Sequence, residues 1–115
     1  MNIKPNKLLN ISIKLEEYNG CIVPIIYSDD TNTLNELDSV LRNNGVELIY
    51  NTNSLLIYTK LYSKEEMKSM KVESFHPGYS ISTFFNTFPW LKEFINKSNY
   101  EEMKLFLSCE DYIDI

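Results

Sequence analysis

The sequence predicts a single α+β domain over residues 1–115: a mainly antiparallel four-stranded sheet, one inserted helix, and a C-terminal cluster of short helices covering one face. Three observations predict it. The first half holds short apolar runs bounded by turn residues. One helical pattern falls among them. The second half is dominated by apolar residues at helical spacing.

The first strand is read from Leu9, Ile11, Ile13 and Leu15, which alternate with Asn10, Ser12 and Lys14. Such alternation suits a half-buried strand. "EEYNG" then turns the chain, because Asn19-Gly20 tolerates positive φ at both positions. "CIVPIIY" is the second strand. Pro24 lacks an N–H, so this strand is expected at an edge or bulged there. After "SDDTNT", Thr33 and Glu36 read as a capping box, and Leu34, Leu37, Val40 and Leu41 share one helical face. Gly45 is placed as the left-handed residue ending that helix, with Val46 the apolar residue after it. "VELIY" and "SLLIYTKLY", joined by "NTN", are apolar on both faces and read as central strands.

Ser63 and Glu66 cap a short helix. "KVESF" either extends it or forms a fifth strand. The second choice gives β-α-β-β-α-β from Cys21, a ferredoxin-like order with an extra N-terminal strand, and is the alternative architecture. "HPGY" reads as a type II turn, with Pro at its second position and Gly at its third. Ile81, Phe84, Phe85, Phe88, Leu91, Phe94 and Ile95 then recur at helical spacing, with Pro89 splitting them into helices of about 80–87 and 89–97. Asn99 and Glu102 read as a cap for a helix over 100–109, whose stripe is Met103, Phe106, Leu107 and Glu110. "EDYIDI" is expected to be a partly ordered acidic tail.

The net charge of −5 argues against direct nucleic-acid binding, which needs Lys and Arg to neutralise phosphates, and against docking on anionic membranes. It favours a protein partner, a basic one above all, through complementary charge. Acids concentrate at Asp29, Asp30, Glu36 and Asp38 within 28–38, and at Glu101, Glu102, Glu110, Asp111 and Asp114 in the tail. The N-terminus has no apolar signal core and no run is long enough to span a bilayer, so the expectation is a cytoplasmic protein. Cys21 and Cys109 read as buried free thiols.

Catalytic motifs are missing. Gly20, Gly45 and Gly78 are each explained by a turn, and no G-x-G-x-x-G, P-loop or serine elbow occurs. One His and two distant Cys supply no zinc set, and the acids of 28–38 lack calcium-loop spacing. No metal or cofactor is therefore expected. His76, the only side chain with an ordinary pKa near neutrality, is the one weak catalytic candidate, although its turn accounts for it. The eight tyrosines and Trp90 suit an interface, since their rings are dry at one end and polar at the other.

The functional expectation is a small acidic non-enzymatic protein, an inhibitor or immunity-type protein such as a phage anti-defence factor or antitoxin, docking on a larger partner. Its candidate binding residues are Asp29, Asp30, Glu36, Asp38, Tyr79, Trp90, Glu101 and Glu102. The alternative is a small enzyme, or a metabolite or nucleotide sensor, using His76 in a pocket between sheet and C-terminal helices. A homodimer through the Tyr-rich hairpin 46–62 is a third option.

Overall fold

The computed structural model describes residues 4–18, 21–57 and 81–115. Strands β1 (Ser12–Tyr18), β2 (Cys21–Tyr27), β3 (Leu48–Asn51) and β4 (Ser54–Ile57) form one antiparallel sheet in the order β1-β2-β4-β3. Helix α1 (Thr31–Asn43) is inserted between β2 and β3. Helix α2 (Ile81–Thr87), a 3-10 segment (Pro89–Phe94), helix α3 (Lys97–Met103) and 3-10 turns at Lys104–Phe106 and Cys109–Asp111 complete the chain. The α+β architecture matches the sequence expectation. The second capping box and the turn with His76 and Tyr79 lie outside the described residues.

Strand β1 begins three residues later than its alternation suggests. Asn10 adopts φ 55°, a left-handed conformation that Asn tolerates better than most residues. The chain is thereby turned before the strand starts, and Leu9, expected inside, is 53% exposed. Ile13 and Leu15 face the core as predicted. The β1–β2 ladder runs from Ser12 opposite Tyr27 to Tyr18 opposite Cys21. Pairing of β2 with β4 stops at Ile25, next to Pro24, which has no N–H to continue it. Strand β2 is thus interior at one end and, among the described residues, an edge on its β4 side from Pro24 backward.

Helix α1 is capped by Asp30, not Thr33. The Asp30 carboxylate accepts from the Thr33 N–H (2.9 Å) and the Thr33 hydroxyl (2.7 Å), so the helix starts earlier than expected. Thr33 Oγ1 in turn accepts from Leu9 N–H, tying the N-terminal segment to the helix. The C-terminus closes as predicted: Gly45 at φ 81° donates to Arg42 O and Val46 to Leu41 O, a Schellman arrangement. Among the described residues β3 is an outer strand, so there the expectation that both strands of the 46–62 hairpin are central holds only for β4. All four β4 residues are buried, whereas Ile49 on β3 is 40% exposed.

Strands β2 and β3 flank β4 and run parallel to each other, which is half of the ferredoxin-like pattern. In that fold the final strand would sit beside β2. Here β1 occupies that place along its whole length, so the ferredoxin-like alternative does not describe this sheet. Residues 71–75, the proposed fifth strand, lie outside the described residues.

One face of the sheet carries the main core. Ile13, Leu15, Ile26, Leu48, Leu55 and Ile57 meet Leu34, Leu37 and Leu41 of α1 and Ile81, Phe84, Phe85, Phe88, Leu91 and Ile95 of the C-terminal cluster. Phe84 stacks edge-on against Phe85 at 5.1 Å between centroids. Fully burying each such side chain contributes about 1.5–3 kcal/mol. Helix α1 covers the β3–β4 half of the sheet, and α3 covers β1.

The tail departs most from expectation. Helix α3 is capped by Asn96, which accepts from Asn99 N–H. It ends at Met103 rather than running to 109. The tighter 3-10 turn that follows breaks the 3.6-residue phase, so Phe106 points outward instead of joining the stripe. The acidic tail is docked: Ile113 and Asp111 are buried. The Tyr100 hydroxyl accepts from Ile113 N–H (2.8 Å) and donates to Ile113 O (3.2 Å), satisfying both backbone groups with one phenol.

Candidate protein-docking groove

Among the described strands β1 is an outer one, and its edge away from β2 presents backbone groups that need partners. Helix α3 supplies them. Asn96 N–H donates to Ile13 O (2.8 Å). The Asn99 side-chain amide accepts from Leu15 N–H (2.7 Å) and donates to Leu15 O (3.1 Å), so it acts as one peptide unit of a neighbouring strand. Asn99 is thus an edge clasp rather than the helix cap its position suggests. This clasp fixes α3 against β1 near the hairpin's distal end.

Beyond the clasp an open groove of about 420 Å³ remains, lined by Leu15, Glu16, Glu17, Ile22, Asn99, Glu102, Met103 and Phe106. Register places Glu17 opposite Ile22 on the two hairpin strands. Ile22 and Met103 are half-buried at the edge of the core, and Phe106 is 71% exposed. The lining holds three carboxylates and no basic residue. Glu16 accepts a short hydrogen bond from the Tyr27 hydroxyl. Burial, then that bond and the Glu16 charge, push the Tyr27 phenol up to about 12. Glu17 and Glu102 make no hydrogen bond or ion pair among the described residues. Lys104, adjacent in sequence to the exposed Leu105 (84%), is not in the lining; its ammonium lies over the rings of Tyr112 (4.8 Å) and Tyr100 (5.9 Å).

The candidate binding residues from the sequence fall apart into two sets. Asp29 accepts from the Asn10 side chain (2.9 Å), Asp30 is the α1 cap, and Asp38 pairs with Arg42 (2.6 Å), so three of that patch's four acids have partners within the chain. The Thr33 hydrogen bonds hold the Asp30 carboxyl below the ordinary Asp range. Glu36 is exposed on α1 and makes no hydrogen bond or ion pair among the described residues. Glu102 reaches the groove, and Glu101 is exposed beside it on α3. Trp90 is half-buried, its ring edge-on to Phe88 at 6.1 Å, which makes it part of the core margin. His76 and Tyr79 lie outside the described residues. The thiols are free, but Cys21 is only half-buried and Cys109 is exposed.

Sequence reasoning missed Glu16, Glu17, Ile22, Met103 and Phe106 as a set. The paired acids of "EEY" beside a hairpin turn were a usable signal for the first two. Their meeting with Glu102 depends on the Asn99 clasp, which joins residues 84 positions apart.

Among the described residues, no three His, Cys, Asp or Glu side chains are placed to hold a metal ion, and no helix is long and apolar enough to cross a membrane. No protein family, curated protein or solved structure matches this chain.

Proposed function

We propose that the chain is a small acidic, non-enzymatic binding protein that docks on a larger, basic protein, in the manner of an inhibitor or immunity-type protein. A phage anti-defence factor or an antitoxin is the kind of role this suits. The observation that carries the reading is the pairing, at one groove, of the carboxylates Glu17 and Glu102, which have no hydrogen-bond or ion-pair partner among the described residues, with the exposed ring of Phe106. Carboxylates without internal partners are available to steer a cation, and an exposed aromatic beside them can anchor the contact once water is excluded. The overall charge of −5 acts in the same direction at longer range.

The test is affinity capture from host lysate at low and high salt, using the wild type beside E17K/E102K and beside a D29K control. A stoichiometric basic partner is expected with the wild type and with D29K. It should be lost at high salt and lost with E17K/E102K. Capture that ignores both salt and the groove reversal counts against the reading.

A further inference from the structure

The groove's chemistry narrows what enters it. Its lining holds three carboxylates, Glu16, Glu17 and Glu102, together with the apolar Ile22 and Met103 and the Phe106 ring, which is 71% exposed. A planar guanidinium matches that combination. It can engage two carboxylates through a fork of N–H donors, lay its face on an aromatic ring, and bury its methylene stem on apolar carbon. An ammonium offers a compact, strongly hydrated charge and gains less from the ring and the second carboxylate.

A volume of about 420 Å³ is at the low end of ligand clefts, which run to roughly 300–1,000 Å³. The groove is open, and Leu105, next in sequence to the lining residue Phe106, is 84% exposed. A chain segment seated in the groove carries flanking side chains that can reach Leu105, whereas a free amino acid has none. A second copy of this chain is a poor occupant. Its single arginine, Arg42, is already engaged by Asp38 (2.6 Å) and by Leu48 O (3.3 Å), and like-charged copies repel.

We propose that the groove seats an arginine-bearing segment of a partner protein, with the guanidinium between Glu17 and Glu102 against Phe106 and a neighbouring apolar side chain on Leu105. This rests on the binding function proposed above and adds the identity of the entering side chain.

The experiment uses two fluorescein-labelled peptides, one of alternating Arg and Leu and one of alternating Lys and Leu. Binding to the full chain is read by anisotropy, and the contact is mapped by amide chemical shifts. The arginine peptide is expected to bind about tenfold tighter than its lysine counterpart, the ratio expected from one added charge-assisted bond. Shifts should centre on Glu17, Ile22, Glu102 and Met103. E102Q and F106A should each remove most of that preference. Both alter exposed side chains, and unchanged amide spectra elsewhere report that the fold is kept.

Equal affinity for the two peptides, no binding of either, or shifts centred on α1 overturns the arginine assignment. The capture experiment reads binding of a basic partner whichever side chain enters the groove. Salt-sensitive capture surviving alongside equal peptide affinities therefore sinks this inference alone, and loss of capture sinks the function beneath it.

Discussion

The two acidic regions of the molecule are alike in sequence and unlike in use. Around the start of α1, Asp29, Asp30 and Asp38 are spent within the chain: on Asn10, on the Thr33 cap and on Arg42. At the distal hairpin and α3, Glu17 and Glu102 have no internal partner among the described residues and border apolar surface. Acid density along a sequence thus does not separate carboxylates that build structure from those free to bind. Partnering separates them, and it is a property of the fold. Substitutions should split the same way, costing stability at α1 and binding at the groove.

The clasp that creates the groove should give the largest effect. Asn99→Ala strips partners from both Leu15 N–H and Leu15 O, two part-buried groups, and is expected to cost about 2–3 kcal/mol in denaturant unfolding. Asn99→Asp keeps an acceptor for Leu15 N–H but turns a carboxylate oxygen toward Leu15 O and adds a charge beside three glutamates, so it should cost at least as much as alanine. If alanine and aspartate variants unfold with the wild-type midpoint, the clasp does not hold α3 in place. Next comes Tyr100→Phe, which removes the hydroxyl that serves Ile113 and should cost about 1–2 kcal/mol. Amide exchange should rise at Ile113 while β2 and β4 remain protected.

Much of the architecture was legible beforehand because it rests on local signals. Alternation placed Ile13 and Leu15 inside, the Asn43-Asn44-Gly45 run ended α1, and Pro89 split the C-terminal aromatics where expected. The failures share one cause. Asn99 looked like a cap because its strand partner is remote in sequence. The tail looked loose because Tyr100 holds it through tertiary contact. Phe106 looked like core because a helical phase was continued through a 3-10 turn. The groove inherits all three, so only Glu101 and Glu102 could be singled out from that side. Half of its lining comes from the hairpin, and no local pattern brings the halves together.

Acidity gives a smaller and more selective effect at α1. The folded-state pKa of Asp30 is lowered, so the unfolded chain takes up a proton there first. The charged cap's contribution is therefore complete above the unfolded value of about 3.9 and is lost as pH falls through the lower folded value. Asp30→Asn keeps a capping oxygen without the charge. Its stability deficit at pH 7 should shrink as pH drops from about 4 toward 2. A deficit constant over that range would mean the cap acts by geometry alone. At the alkaline end the sign reverses. Tyr27 has its pKa raised to about 12, so its contribution is complete below about 10 and fades as pH rises through the folded value. Tyr27→Phe should flatten that alkaline loss, and phenol absorbance should show a late-ionising component in the wild type that the variant lacks.

The smallest change in stability is expected where the change in binding is greatest. Asp38→Asn breaks an exposed i,i+4 pair and should cost about 0.3–0.5 kcal/mol. Glu17→Gln and Glu102→Gln remove no hydrogen bond or ion pair among the described residues, so each should stay within about 0.5 kcal/mol of wild type. The double variant even relieves repulsion between carboxylates lining one groove, so any net shift should be toward greater stability. Thermal melts and partner affinity measured on the same samples make the comparison decisive. Asp38→Asn should lower stability slightly and leave binding alone. The glutamine variants should do the reverse, because a charge kept without a partner among the described residues adds no stability to the fold that holds it.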